Sequence, residues 1–390
     1  SPMTRRRPSW TTLAPVAALV VLVLAWGHHP GTVAAVAIGV FLVGAVLSAV
    51  HHAEVVAHKV GEPFGSLLLA AAVTVIEVAL IVTLMVSGSG ETATLARDTV
   101  FAAVMITLNG IAGLSLLVAA TRYRMAVFNP EGSGSALMTV VVLATLTLVL
   151  PRFTTSSPGP EFSSGQLAFA ATASLVLYGL FVFTQTVRHR DFFLPVATGA
   201  GTTAVTRTAI PDSPVDSPVD SPVDSPVDED GDGHADPPST RAAVASLVLL
   251  LLGLVAVVGL AKVESYPIED AVEAIGFPGG FVGVVIALLV LLPESIAAAR
   301  AAARNRAQIS LNLAYGSAMA SIGLTIPAIA VASIWLDGPL VLGLEPTQMV
   351  LLLVTVVAAV LTVVPGRSKS LQGWVHLVLL AAFVFLAISP

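Results

Sequence analysis

Long apolar runs alternate with short polar breaks along almost the whole chain. A membrane-spanning helix needs about 20 mostly apolar residues, and eleven stretches approach that length. The breaks between them carry turn residues, for example at 28–31, 129–132 and 365–366. The spans are predicted near 11–27, 31–51, 64–87, 98–120, 135–151, 166–187, 242–262, 278–298, 308–335, 340–364 and 371–389. The pattern therefore predicts an all-α polytopic membrane protein with about 11 transmembrane helices.

Composition narrows the class further. Of 390 residues, 56% are hydrophobic and 11% are charged, whereas soluble domains carry about 25% charged residues. These values exclude a soluble globular enzyme and a disordered protein, and the net charge of −6 offers no basic surface to nucleic acid. Aromatic residues make up only 6%, which favours packed helices over an outer-membrane barrel.

Lysine and arginine residues are distributed unevenly between the two predicted faces. With the N-terminus placed in the cytoplasm, all but three of the 18 fall on the inner side, and the exceptions are Arg97, Arg152 and Lys262. This bias predicts a cytoplasmic N-terminus and supports the span count. The basic run at 5–7 could begin a signal peptide, but no small-residue cleavage site clearly follows. We therefore expect a retained first helix.

A polar segment, 188–240, divides the chain. It contains four tandem Ser-Pro-Val-Asp units between 213 and 228. Proline at every fourth position forbids a helix, and nothing in the segment can form a core. The predicted organisation is an extra N-terminal helix at 1–30, a first repeat at 31–187, an acidic disordered cytoplasmic linker at 188–240 and a second repeat at 241–390.

The two halves share three motifs in the same order. The spacing Glu-x6-Gly-x-Pro-x-Gly begins at Glu54 and again at Glu269, and a single intramembrane glutamate follows each copy, at Glu77 and Glu294. A hydroxyl-Leu-Asn-x3-Gly element then begins at 107 and at 310. Five helices per copy is an odd number, so the second copy inserts upside down. Inverted-topology repeats of this kind are typical of secondary transporters.

Two glutamates are the strongest candidates for chemistry. Glu77 and Glu294 lie well inside apolar spans, where a carboxylate is costly and usually faces a cavity. The alternative is a protonated glutamate that only hydrogen-bonds a neighbouring helix. Asn109 and Asn312 add amide oxygens, unless they serve only interhelical hydrogen bonds. Further candidate oxygens are those of Thr74, Thr107, Gln308, Ser310 and Ser317.

This ligand set describes a site for a hard cation. Two carboxylates are neutralised by one Ca²⁺ or by two protons, and either state crosses the membrane midplane without net charge. Exchange of Ca²⁺ for protons by alternating access is therefore the leading hypothesis. A Na⁺(K⁺)/H⁺ antiporter is the alternative, and a cation channel fits the repeat less well. No catalytic dyad or metal-histidine set is apparent, so an enzyme is not expected.

The stretches 61–81 and 291–327 resemble the two alpha-repeats of ChaA-type bacterial calcium/proton antiporters, in the calcium/cation antiporter superfamily. The resemblance implies ten core helices plus an extra first helix, with Glu77 and Glu294 as the shared Ca²⁺ and H⁺ ligands. It also implies a multi-pass protein of a prokaryotic plasma (inner) membrane. The Gly-Asn of the superfamily's Gly-Asn-x-x-Glu motif is replaced by 73–74 and 290–291.

Weaker signals suggest regulation. Asp228, Asp230 and Asp232 match part of a calcium-binding loop, although a solvated acidic linker explains them as well. His51, His52 and His58 cluster near Glu54 and could sense pH or Ca²⁺. We expect no resident cofactor, only Ca²⁺ as transported substrate and H⁺ as counter-ion. The expected partners are the lipid bilayer and inorganic cations but not nucleic acid. The sequence is also compatible with a homo-oligomer.

Overall fold

The computed structural model describes residues 9–28, 30–61, 64–87, 93–194, 238–336 and 338–390. These residues form eleven helices: α1 (Trp10–Ala25), α2 (Thr32–Val60), α3 (Phe64–Ser87), α4 (Leu95–Tyr123), α5 (Pro130–Arg152), α6 (Ser164–Arg188), α7 (Thr240–Ala274), α8 (Phe281–Ala303), α9 (Ala307–Ala332), α10 (Pro346–Val363) and α11 (Ser370–Ile388).

The prediction of an all-α polytopic membrane protein is confirmed. In the part of the chain that the structure describes, ten helices are long and apolar enough to cross a membrane. Helix α1 has 16 residues and is about 24 Å long, which is shorter than a hydrocarbon core of about 30 Å. It packs against α2 and α7.

Helices α2 and α7 are longer than the hydropathy pattern predicts. They contain 29 and 35 residues, whereas the apolar runs end near 51 and 262. Backbone hydrogen bonding continues along a helix after its apolar character ends, so 29 residues reach about 43 Å. One consequence is that Glu54 lies on the last two turns of α2 rather than in a loop.

The backbone conformation explains the first glycine of the shared Glu-x6-Gly-x-Pro-x-Gly motif. Gly61 follows α2 and Gly276 lies just beyond α7, with φ angles of 77° and 80°. This left-handed conformation is cheap for glycine and strained for other residues. The motif therefore marks where α2 and α7 end, and the predicted repeats would comprise α2–α6 and α7–α11.

Contacts between loops define two faces of the helix bundle. The linker face is the side on which α6 ends and α7 begins. On this face β1 (Ala126–Val127) pairs antiparallel with β2 (Arg367–Ser368). On the opposite face Arg97 binds Asp98 at 2.8 Å and Glu345 at 3.2 Å. When successive helices run alternately up and down, each of these contacts joins helix ends that lie on the same face.

The buried side chains fall mainly into two groups. One group joins α1, α2, α3 and α7, and the other joins α4, α5, α6, α9, α10 and α11. Helix α8 contributes to both groups. A cavity lies where α3 and α8 meet α6 and α9.

Candidate cation site

A cavity of about 190 Å³ lies between α3, α6, α8 and α9. Its polar lining consists of Thr74, Glu77, Tyr178, Gln185, Glu294, Asn312, Ser317 and Ser321. On α3 the lining runs from Leu69, near the helix end on the linker face, to Glu77 in the middle of the helix. On α9 it runs from Asn312 to Ser321. The cavity therefore extends from the middle of the bundle toward the linker face.

An apolar seal lies on the other side of Glu77. Ile81, one turn further along α3, packs with Ala96 and Ile329, and all three are completely buried. Val78, Val82, Met85 and Leu340 pack around them. Glu77 therefore has a cavity on its linker side and a layer of packed apolar side chains on the opposite side.

Glu77 is almost fully buried, with 2% of its surface exposed. Its Oε2 accepts a hydrogen bond from the Ser321 hydroxyl at 3.0 Å. Its Oε1 is buried and has no hydrogen-bond partner. Ser321 opens a π-helical segment, Ser321–Thr325, and π-bulges of this kind often occur at functional sites. The Ser321 and Thr325 hydroxyls of this segment both interact with the Glu77 carboxylate, so the π-helical segment holds that carboxylate in place.

Glu294 contributes a second open oxygen to the same cavity. It follows Pro293 on α8, which lacks a backbone N–H and leaves a carbonyl one turn earlier without that donor. The Oε2 of Glu294 is buried without a hydrogen-bond partner, and its charge interacts electrostatically with that of Glu77. Buried oxygens without partners are costly, and a proton, a cation or a water molecule would each satisfy them.

The predicted ligand Asn312 and two of the predicted supporting residues, Thr74 and Ser317, line this cavity. Thr74 lies about one turn before Glu77 on α3, and Ser317 and Asn312 lie on α9. The Nδ2 of Asn312 donates to the carbonyl of Phe193 at 2.7 Å, and its Oδ1 accepts from Gln308 at 2.8 Å. These contacts orient the Asn312 amide without using both lone pairs of its oxygen.

Asn109 lies outside the cavity lining, in a network of its own. Its Nδ2 donates to the Thr355 hydroxyl at 2.9 Å, and its Oδ1 lies 2.9 Å from Nδ1 of His376. The Nε2 of His376 lies 3.2 Å from the Thr362 hydroxyl. This network ties α4 to α10 and α11, so the Asn109 amide is engaged in helix packing in this conformation.

The other predicted polar residues also make contacts outside the cavity. Thr107 donates to the carbonyl of Ala103 at 2.7 Å, and Ser310 donates to that of Ala298 at 2.6 Å. Gln308 accepts from the backbone N–H of Asn129 at 2.6 Å. The cavity instead contains Tyr178, Gln185 and Ser321, which the sequence analysis does not single out. Ser321 could have been found, because it follows Ser317 by one helical turn.

The predicted sensor residues are dispersed. His52 is buried, with Nδ1 3.2 Å from the Ser246 hydroxyl and Nε2 3.0 Å from the carbonyl of Thr11. It joins α2 to α7 and α1, while His51 and His58 are exposed. Asp228, Asp230 and Asp232 lie outside the described residues. Within the described ranges, no group of three or more His, Asp or Glu side chains is arranged to hold a metal ion.

Comparisons with known proteins agree on one family. A family model described as sodium/calcium exchanger protein matches residues 30–187 and 245–389. A Sinorhizobium fredii protein named as an ionic transporter, y4hA, is 41% identical over 98% of this chain and 97% of its own length. The sodium-potassium/proton antiporter ChaA of Escherichia coli is 32% identical over 97% of this chain and 96% of its own.

A solved structure shares the fold. The structure of native YfkE matches with a TM-score of 0.67 at 16% identity, covering 98% of this chain and 99% of that chain. At this identity the likeness shows the fold alone. It supports the arrangement of helices around the cavity.

Proposed function

This chain is a membrane cation antiporter of the sodium/calcium exchanger protein family, and from that premise we propose that it exchanges Ca²⁺ for protons. Glu77 and Glu294 are the ligands shared by Ca²⁺ and H⁺. The proposed location is the inner membrane of a bacterium, with the linker face toward the cytoplasm.

One observation carries the proposal. Two glutamates from opposite halves of the chain line one cavity, and each presents a buried oxygen without a hydrogen-bond partner. Their combined charge of −2 is cancelled by one Ca²⁺ or by two protons. A monovalent cation alone would leave one uncompensated negative charge in a low-dielectric site, which is unfavourable.

Neutral oxygens complete the proposed coordination. Ca²⁺ takes six to eight oxygen ligands, more than two carboxylates provide. Thr74, Ser317 and Asn312 line the same cavity and carry hydroxyl and amide oxygens that would act as ligands, and water would supply the rest. Ser321 acts as a positioning residue, because its hydroxyl donates a hydrogen bond to Glu77 Oε2 and so fixes the orientation of the carboxylate.

The exchange cycle follows from competition for the same oxygens. On the linker side, Ca²⁺ displaces the protons and neutralises both carboxylates. The seal at Ile81, Ala96 and Ile329 must then open while the linker side closes. Protons displace Ca²⁺ on the other face, and the neutral protonated site returns. Alternating access of this kind is typical of transporters built from inverted repeats.

A Na⁺(K⁺)/H⁺ antiporter is the second candidate. It is favoured by the relative from Escherichia coli, which is named as a sodium-potassium/proton antiporter. YfkE, whose fold this chain shares, is named as a Ca²⁺/H⁺ antiporter protein, so the fold is compatible with the first candidate. A single Na⁺ would need one of the two glutamates to stay protonated to reach neutrality.

Transport by the purified full chain in liposomes separates the two candidates. An imposed pH gradient should drive Ca²⁺ uptake, and Ca²⁺ addition should collapse the gradient, when Na⁺ and K⁺ are absent. Each of the three cations is tested alone. Gradient collapse by Na⁺ or K⁺ but not by Ca²⁺ would replace the first proposal with the second.

A further inference from the structure

Two hydroxyl side chains of α9 lie beside the Glu77 carboxylate. Ser321 and Thr325 are the first and last residues of the π-helical segment, and residues four apart lie on one side of a helix. Because α9 begins on the linker face, Thr325 lies about one turn beyond Ser321 toward the opposite face. Of the two, only Ser321 lines the cavity and donates a hydrogen bond to Glu77, at 3.0 Å.

The Thr325 hydroxyl is buried and unused in this conformation. The residue is completely buried, and its Oγ1 makes no hydrogen bond to any residue that the structure describes. Threonines in other π-helical segments of the chain donate to the carbonyl four residues earlier, as Thr107, Thr147 and Thr186 do. A buried hydroxyl without a partner is costly, and valine would fill the same space without that cost. The hydroxyl is explained if it finds its partner in another state of the transport cycle.

Glu77 is placed to be that partner. Helix α3 packs against the π-helical segment, and the Glu77 carboxylate interacts with the Thr325 hydroxyl, although no hydrogen bond joins them in this conformation. Toward the linker face, Ser321 is hydrogen-bonded to Glu77. Toward the opposite face, Ile81 and Ile329 lie one turn beyond Glu77 and Thr325 and pack together in the seal. A small shift of α3 along α9 would therefore move the carboxylate from one hydroxyl to the other.

We infer that Thr325 is a second positioning residue for Glu77, and that its hydroxyl donates to the carboxylate when the site opens toward the face opposite the linker. Ser321 holds the carboxylate while the cavity is open to the linker face, so the two hydroxyls serve the same acceptor in turn. This inference rests on the proposed function, because it takes Glu77 as a ligand of the transported Ca²⁺. A hydroxyl donor stabilises the ionised carboxylate, which is the form that binds Ca²⁺. Loss of one hydroxyl therefore weakens Ca²⁺ binding from one face.

The test measures Ca²⁺ transport from each face separately. The full chain is assayed in inside-out and in right-side-out membrane vesicles, and vesicles without the protein give the background. Because the chain contains no cysteine, the substitution Asp191→Cys, at an exposed position on the linker face, provides a single site for a membrane-impermeant maleimide. Labelling shows which face is outward. The Michaelis constant for Ca²⁺ is then measured from each face for the wild type, Thr325→Val and Ser321→Ala.

Thr325→Val removes the hydroxyl and nearly preserves the shape of the side chain. It should raise the Michaelis constant about tenfold at the face opposite the linker, which is the scale of one hydrogen bond to a charged group. The linker-face constant should not rise, and transport from that face shows that the variant is folded. Ser321→Ala should show the reverse, with the rise at the linker face. Thr325→Ser, which restores the hydroxyl, should restore most of the affinity.

Ser115→Ala is the matched control. Ser115 on α4 is also buried, and its hydroxyl makes no hydrogen bond within the described part of the chain, but it lies outside the cavity lining. The control should leave both Michaelis constants unchanged. An unchanged opposite-face constant in Thr325→Val, an equal rise from both faces, or a rise at the same face in both α9 variants would overturn the inference while wild-type exchange stands. Absence of Ca²⁺ exchange in the wild type would overturn the proposed function and this inference with it.

Discussion

Replacing Glu77 by glutamine changes the charge of the site while keeping its shape. The amide oxygen can still accept the hydrogen bond from Ser321 that now reaches Oε2 at 3.0 Å. The side chain is 2% exposed, so water cannot replace the lost charge. The variant binds no proton at this position and offers Ca²⁺ one carboxylate instead of two.

The expected loss of affinity follows from this burial. With Glu294 alone, bound Ca²⁺ leaves one positive charge uncompensated in the cavity. Removing one partner of a buried charge pair costs about 3–5 kcal/mol. This corresponds to a dissociation constant roughly 150- to 5,000-fold higher. The variant should therefore show no Ca²⁺/H⁺ exchange at Ca²⁺ concentrations that saturate the wild type, and Glu294→Gln should behave in the same way.

The assay is Ca²⁺-driven collapse of a pH gradient in liposomes, together with calorimetric Ca²⁺ titration of the purified protein. Glu264→Gln is the matched control. Glu264 is also buried, with 5% of its surface exposed and an Oε1 without a hydrogen-bond partner, but it lies on α7 outside the cavity lining. Exchange should persist in this control. Near wild-type exchange in Glu77→Gln or Glu294→Gln would refute the two-glutamate mechanism.

Three further predictions test other parts of the chain. Deleting 211–236 should leave most exchange activity, because the segment lies outside both repeats; loss of all transport in a deletion that elutes as a single folded species would contradict this. Ca²⁺ affinity should weaken as pH falls, since protons occupy the same oxygens, and titrations in two buffers of different ionisation enthalpy should detect proton release; affinity that is flat between about pH 6 and 9 would argue for a separate proton path. Asn109→Ala should lower the free energy of unfolding by about 1–3 kcal/mol, because it removes the buried hydrogen bonds that Asn109 makes with the Thr355 hydroxyl and with Nδ1 of His376, yet change Ca²⁺ affinity little. A large loss of Ca²⁺ affinity at unchanged thermal stability would instead make Asn109 a ligand.

Hydropathy alone predicts the number and class of the helices, because the bilayer requires long apolar helices whose backbone groups bond internally. It does not predict where α2 and α7 end, since helical hydrogen bonds continue through polar residues beyond the bilayer. The hydropathy pattern consequently assigns Glu54 to a polar break between two helices. In the structure it is a helical residue whose charge interacts with that of Glu294.

The pair Glu77 and Glu294 could be selected from sequence because an intramembrane carboxylate is costly anywhere except at a functional cavity. The shared sequence motif pairs Asn109 with Asn312, but the two do not occupy equivalent places in their helices. Asn109 lies 14 residues after the start of α4, and Asn312 lies five residues after the start of α9. Asn312 lies on the linker-face half of α9, beside the open cavity. Asn109 lies at the middle of α4, where Thr355 and His376 take up its amide. Because the two asparagines lie at different depths and contact different helices, which oxygens line the cavity depends on the packing of helices from both halves.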